Sequence, residues 1–275
     1  MPKFKDKRII ITGASSGIGK EMAIQLSHQG SRLTLAARSA ERLAEVAHLC
    51  QENGAQALHV PTDVSDASQC QNLIQTSVNH YGGIDMLVNN AGYSMWARFE
   101  DITRMEIGEQ LMKVKFFGSV YCTYAALSFL KASQGQILTI SSVTGKIGVP
   151  SRTYYSAANH ALTGFFDALR GEVAAYGIKI TMVYPGYIAT SIREKAINSD
   201  GKPHGKTHIE EANAMPVDIC VRQILEATGR KKRDVYLTFK DKMGTWLKTF
   251  TPSLVDYIAR KQTSFDQLSD QQVIT

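Results

Sequence analysis

Apolar residues along this chain fall into short continuous runs, separated by longer stretches in which they recur every three or four positions. The runs "RIIIT" from Arg8, "RLTLAA" from Arg32, "AQALHV" from Ala55, "IDMLVNN" from Ile84, "GQILTIS" from Gly135 and "IKITMVYP" from Ile178 read as strands, with "DVYLTF" from Asp234 as a seventh. Runs this uniformly apolar belong to strands buried on both faces, as parallel sheets require. The intervening stretches predict helices over about 17–28, over "SAERLAEVAHLCQEN" with Ser39 as N-cap, over 66–82, from about Asp101 to Leu130, and over 152–176. Strand and helix alternate throughout. With right-handed crossovers this predicts one α/β domain, a doubly wound Rossmann-like fold on a parallel seven-stranded sheet.

Two segments break the alternation. Residues 186–215 form a long irregular stretch, and loops of this length in compact domains are usually functional. Residues 241–275 form a helical extension to the domain of residues 1–240, with Pro252 starting a new helix. Trp246, Leu247, Phe250, Leu254, Tyr257 and Ile258 recur there at helical spacing, behind the basic cluster "GRKKRD" at 229–234. Packing on the body or on a second copy is one reading of this tail. Peripheral contact with an anionic membrane surface is the other.

Composition narrows the choices modestly. Hydrophobic residues are 44% and charged residues 20%, enough for a sizeable core. The charged start "MPKFKDK" has no apolar signal region, no run reaches membrane-spanning length, and Cys50, Cys70, Cys122 and Cys220 follow no metal or disulfide spacing. A cytoplasmic protein with reduced thiols is the expectation. A net charge of +6 permits anionic partners, but no nucleic-acid-binding pattern accompanies it, so no nucleic acid is expected.

The candidate chemistry begins at "TGASSGIG", residues 12–19, between the first strand and the first helix. Gly13 permits a tight turn, Gly17 lets backbone approach a pyrophosphate, and Gly19 allows close helix–strand packing. The helix N-terminus then offers unpaired N–H groups to the phosphates. At the end of the second strand, where an acid would read the ribose of NAD, the chain carries Ala36, Ala37 and Arg38. A guanidinium there suits the 2′-phosphate of NADP(H).

These features resemble the short-chain dehydrogenase/reductase family. "NNAG" at 89–92, "SSVTG" at 141–145, Tyr155 thirteen residues after Ser142, and "YPGYIAT" at 184–190 complete the resemblance over about residues 7–240. The shape of "FFDALRGEVAAYGIKITMVYPGYIAT" and of the tail is most similar to the member-seven-like subgroup. The resemblance implies an NADP(H)-dependent oxidoreductase acting on a carbonyl or alcohol. Tyr155 would donate the proton and Ser142 would orient the carbonyl. Cofactor contacts would come from Gly13, Ser15, Ser16, Gly17, Ile18 and Gly19, from Arg38, Asp63, Val64, Asn90 and Gly92, from Tyr155, and from Pro185, Gly186, Ile188 and Thr190. It also implies a homo-oligomer built through the helices at 101–130 and 152–176.

One departure comes as a pair. Four residues after the tyrosine the family carries a lysine, and here stands Asn159. On the long helix the family carries an asparagine in an "NxxG" setting, and here "KFFG" puts Lys115 in its place. The relay needs a cation: a tyrosine titrates near pH ~10, and a unit charge ~4 Å from its oxygen at a dielectric of ~20 contributes about 4 kcal/mol. Asn159 supplies a dipole only. Lys115 supplies the charge if its stem reaches the same spot from the neighbouring helix, leaving Asn159 the neutral hydrogen bonds. On this reading Lys115→Asn abolishes activity and the double exchange with Asn159→Lys restores it. The alternative is an NADP(H)-binding protein that has lost turnover. A lipophilic substrate is expected from the subgroup resemblance and from Tyr93, Met95, Trp96 and Phe99 as an apolar wall, with 186–215 as its lid.

Overall fold

The computed structural model of the chain describes residues 3–190, 196–203 and 214–262. Seven parallel strands lie in the order β3-β2-β1-β4-β5-β6-β9. They are β1 (Arg8–Thr12), β2 (Arg32–Ala37), β3 (Gln56–Pro61), β4 (Met86–Asn89), β5 (Gln136–Ile140), β6 (Lys179–Tyr184) and β9 (Asp234–Tyr236). The short strands β7 (Ile188–Ala189) and β8 (Met215–Pro216) pair separately, in parallel. The predicted seven-stranded doubly wound architecture is the observed one.

The period of two along β1 divides its side chains between two cores. Ile9 and Ile11 pack with Met22 and Leu26 of α1 (Gly17–Ser27), Leu43 and Val46 of α2 (Ala40–Glu52), and Ile224 of α7 (Val217–Gly229). Ile10 faces the other layer, with Leu73 of α3 (Ala67–Tyr81), Ala126 of α5 (Gly118–Ser133), and Leu162 and Phe166 of α6 (Thr153–Val173). All three isoleucines are essentially inaccessible, and each such side chain contributes about 1.5–3 kcal/mol by leaving water.

The helix predicted from Asp101 differs in detail. Residues Phe99–Asp101 form a separate 3₁₀ turn, and the helix starts as α4 (Glu106–Met112). It continues to Ser133 through a π turn at Lys113–Phe117. That wider turn rotates everything after it, and Lys115 sits at its centre. Ser39 occupies the N-cap position of α2, but its hydroxyl caps no backbone N–H and instead accepts from Arg42 Nε at 3.2 Å. Pro252 does open a new helix: α8 (Phe239–Phe250) ends before it and α9 (Pro252–Gln262) follows. Of the predicted lid, residues 191–195 and 204–213 lie outside the described residues, as does the tail from 263.

Candidate active site

Strand order reverses between β1 and β4, and open α/β sheets bind ligands at the carboxyl ends of strands beside such a switch. A cleft of about 1560 Å³ opens there. Its floor at one end is the glycine loop. Gly13 and Gly17 both have positive φ, +67° and +55°, which glycine adopts without strain. A Cβ on Gly19 would lie 2.4 Å from the Gly13 carbonyl oxygen and 2.5 Å from Asn90 Nδ2, so only hydrogen fits. The loop is held by β4: Asn90 Nδ2 donates to the Thr12 and Gly13 carbonyls at 2.9 and 3.3 Å, and the Thr12 hydroxyl donates to Val88.

Ser15, Ser16, Gly17 and Ile18 line the cleft where α1 begins. Ser16 stands at the N-cap without using its side chain to cap, so the first-turn N–H groups are open to an anion. Arg38 and Arg42 line the wall beyond the end of β2, whose last residues are Ala36 and Ala37 rather than an acid. Sequence reasoning found Arg38 and missed Arg42. Arg42 lies four residues on, in the first turn of α2, and its signal was the helix boundary. Asp63 and Val64 continue that wall. Asp63 Oδ1 is engaged by the Ser65 amide and hydroxyl at 2.9 and 2.7 Å. A nicotinamide dinucleotide therefore fits the residues present: a cradle that a Cβ would fill and an open helix N-terminus, with two guanidinium groups on the wall past β2.

The other end of the cleft holds the reactive candidates. Ser142, Tyr155 and Lys115 all line it, and all three are buried. Ser142 Oγ accepts from the Thr144 amide at 3.2 Å and donates to the Pro185 carbonyl at 3.4 Å, which fixes the hydroxyl after β5. Lys115 Nζ donates to the Ile140 carbonyl at 3.3 Å and lies 5.6 Å from the centre of the Tyr155 ring. Gly92 lies against it: a Cβ there would be 3.4 Å from both Cγ and Nζ of Lys115, at van der Waals contact. Burial pushes the Lys115 ammonium below the ordinary lysine range, and the neighbouring Tyr155 hydroxyl pulls it partly back.

Asn159 is next to Tyr155 but does not line the cleft. It is fully buried, with Nδ2 donating to Tyr155 O at 2.8 Å and to Thr144 Oγ1 at 3.2 Å, and Oδ1 accepting from Ser141 Oγ at 3.3 Å. Its amide ties α6 to the 141–145 turn from behind. The expected wall also divides: Tyr93 and Trp96 line the cleft, while Met95 is buried in a small core and Phe99 is 58% exposed and set against Tyr154. Pro185, Gly186, Ile188 and Thr190 line the side nearest β6.

The sequence did not foretell that α8 and α9 close the cleft. Met243, Leu247, Val255 and Ile258 form part of its wall. Asp241 of α8 approaches Gly186 so closely that a Cβ on Gly186 would lie 2.6 Å from its Oδ1. Its Oδ2 is sealed from solvent with no partner. Burial raises the Asp241 carboxyl above the usual carboxylate range, with Thr238 acting the other way.

Residues 7–200 match the short chain dehydrogenase family. The chain is 33% identical over 252 residues to mouse dehydrogenase/reductase SDR family member 7B, covering 90% of this chain and 78% of that protein. An alcohol dehydrogenase from Thermococcus sibiricus, solved with 5-hydroxy-NADP, superposes with a TM-score of 0.70 at 26% identity, covering 83% of this chain and 94% of the other. A short-chain dehydrogenase/reductase from Burkholderia phymatum, solved with NAD, gives 0.80 at 20% identity over 92% and 96%, and at that identity shows the fold alone.

Proposed function

Starting from a chain that belongs to the short-chain dehydrogenase/reductase family, in its member-7-like branch, we propose an NADP(H)-dependent oxidoreductase that interconverts a carbonyl and an alcohol on a lipophilic substrate. The observation that carries this reading is the buried Lys115 ammonium beside Tyr155, in one cleft with Ser142 and the glycine loop. An ammonium held dry is costly unless it has a task, and a tyrosine that must give up a proton supplies one.

Arg38 and Arg42 would hold the 2′-phosphate, and Ser15, Ser16 and Ile18 the pyrophosphate at the start of α1. The Thermococcus relative's bound 5-hydroxy-NADP supports the phosphorylated cofactor. When bound, the nicotinamide supplies or accepts a hydride at the substrate carbon. Ser142 donates to the carbonyl oxygen and sets its direction. Tyr155 hands its proton to that oxygen as the alcohol forms, and takes it back in the reverse direction. Lys115 stabilises the negative charge left on the Tyr155 oxygen. Asn159 positions rather than reacts: its amide fixes the Tyr155 carbonyl and the 141–145 turn relative to each other.

The lipophilic part of the substrate would lie along Trp96, Leu247, Val255 and Ile258. Residues 1–240 then form the catalytic unit, and 241–275 an extension whose helices α8 and α9 finish its pocket. The outer face of α8 exposes Phe239, Trp246 and Phe250 by 64–79%, with the exposed Lys242 beside them, a combination suited to peripheral contact with an anionic bilayer. No helix among the described residues is long and apolar enough to cross one. A second copy is the other candidate for that face, and for a homo-oligomer. Co-sedimentation with anionic vesicles and sedimentation velocity, on the full chain and one ending at Leu237, separate the two.

The test of the central reading is a pair of measurements. Calorimetry should give NADP+ binding at least tenfold tighter than NAD+, and a panel of lipophilic aldehydes and ketones should show NADPH oxidation that Tyr155→Phe removes. Binding of neither cofactor overturns the reading. Cofactor binding without turnover on any panel member returns the protein to the role of a binder.

A further inference from the structure

One cationic group in the substrate end of the cleft has no part in the chemistry above. Arg152 precedes α6, three residues before Tyr155, and its guanidinium carbon sits 4.4 Å from the centre of the Trp96 ring and 5.9 Å from that of Tyr155. Its Nε is sealed from solvent and donates to nothing. Among the described residues no acid pairs with Arg152 and no acceptor takes its side-chain donors. A guanidinium carries five N–H groups in a planar fork; here the half-buried side chain leaves the sealed Nε unmatched, at a cost, and no group among the described residues claims the terminal nitrogens.

The backbone around Arg152 is also held at some cost. Ser151 has φ +60°, a left-handed conformation that a non-glycine residue rarely adopts. Its carbonyl accepts from the Ala97 amide at 2.9 Å, which joins the start of α6 to the segment carrying Trp96. Both segments are thus fixed where the indole face lies on the guanidinium. Strain of this kind persists where the surroundings over-determine it, and such places are enriched in functional sites. Among the described residues, the other charged groups lining this end of the cleft are Arg104 and Glu106, both exposed at its mouth, Lys115 within, and Lys240 and Asp241 of α8. Cations outnumber acids among them.

We propose that Arg152 is an anion anchor in the substrate pocket, so that the substrate is a lipophilic carbonyl or alcohol carrying a carboxylate or a phosphate. The Trp96 ring packs on the guanidinium of Arg152, which lines the cleft, and a guanidinium is a two-pronged donor whose geometry carboxylate and phosphate oxygens match. The position three residues before Tyr155 puts the anion close to the reacting carbonyl, while the hydrocarbon part runs on toward α8 and α9. This inference rests on the cleft being the reaction site proposed above, and refines its substrate class.

The test uses the full chain saturated with NADP+, whose own titration is recorded first. Octanoate, octyl phosphate and octanamide are then titrated by calorimetry. One or both anions should bind about 10- to 100-fold more tightly than the amide, and Arg152→Gln should remove that preference. Arg152→Lys, which keeps the charge and loses the fork, should retain part of it. The tighter of the two anions distinguishes carboxylate from phosphate. Equal affinities for all three probes, no anion binding, or a preference that survives Arg152→Gln in a protein melting like the parent would each overturn the proposal. If NADP+ does not bind, the cofactor reading fails on that titration alone. The three probes, repeated on Arg38→Ala/Arg42→Ala protein, then still decide Arg152.

Discussion

Lys115 and Tyr155 approach each other from two different helices, with the ammonium 5.6 Å from the ring centre. The π turn at Lys113–Phe117 carries the lysine, and the second turn of the site, at the start of α6, carries the tyrosine. The lysine and the tyrosine therefore come from separate elements, and a π turn in the middle of a long helix is a common device for aiming a side chain at a site. The chain retains a dry ammonium there whose only acceptor among the described residues is the Ile140 carbonyl.

Lys115→Met should separate function from stability. Removing the charge that supports proton transfer should lower turnover by about 10²-fold or more, with NADP+ affinity changed only a few-fold. The folded protein should become more stable, because burial works against the ammonium. The sign with pH follows from its lowered folded value. The cost is fully present below that value and fades as pH rises toward the unfolded value of 10.5. The stabilisation by methionine, measured by urea unfolding, should therefore be largest at neutral pH and shrink toward pH 10.5. A destabilised, fully active Lys115→Met protein would remove the lysine from the mechanism.

The double exchange Lys115→Asn/Asn159→Lys should fail to restore activity. Sequence symmetry between the two positions suggests that it would succeed, but the structure is not symmetric. Lys115 lines the cleft, whereas Asn159 is enclosed by Ser141, Thr144 and the Tyr155 carbonyl. A lysine at 159 must bury its charge among those groups or push α6 outward, so Asn159→Lys alone should destabilise by on the order of 3 kcal/mol. Recovery of turnover in the double variant would mean that the α6 side chain can reach the cleft after all.

Most of the fold was legible because its signals are local. The apolar runs of β1, β2, β5 and β6 and the glycines at 13, 17 and 19 each report their own backbone. The departures at 115 and 159 were legible as residue types, since one position lacked the expected charge and the other carried one in its place. The inward turn of Asn159 was not, because it depends on the hydroxyls of Ser141 and Thr144 arriving from another strand end. The π turn leaves no mark in "MKVKFFG". Arg42, Arg152 and Asp241 were passed over for the same reason: each is an ordinary surface residue type until a neighbour from a distant segment closes over it.

Arg38 and Arg42 should together set the cofactor preference. Both line the wall past β2, where the strand ends in Ala36 and Ala37 rather than an acid, and Asp63 farther along that wall is engaged by Ser65. Charge-assisted hydrogen bonds to a phosphate contribute roughly 1.5–3 kcal/mol each. Each single alanine variant should weaken NADP+ binding by about tenfold or more and leave NAD+ within a factor of two. A preference for NADP+ that survives in the double alanine variant would place the discriminating contact elsewhere.

Asp241→Asn tests what α8 contributes to the cleft. The Asp241 carboxyl is pressed against Gly186, and its Oδ2 is sealed from solvent without a partner, so ionising it costs free energy in the folded state. Its folded value is raised, chiefly by burial. A raised carboxyl favours the folded state below its unfolded value, and that advantage is lost as pH rises through the folded one. At neutral pH the cost is therefore in place, and asparagine, of the same shape and uncharged, should raise the melting temperature. The gain should shrink as pH falls toward the unfolded value near 3.8 and vanish below it. Thermal unfolding of both proteins from pH 3.5 to 8 reads this directly. An unchanged difference across that range would show that Asp241 is already solvated in solution, and that α8 stands off from Gly186.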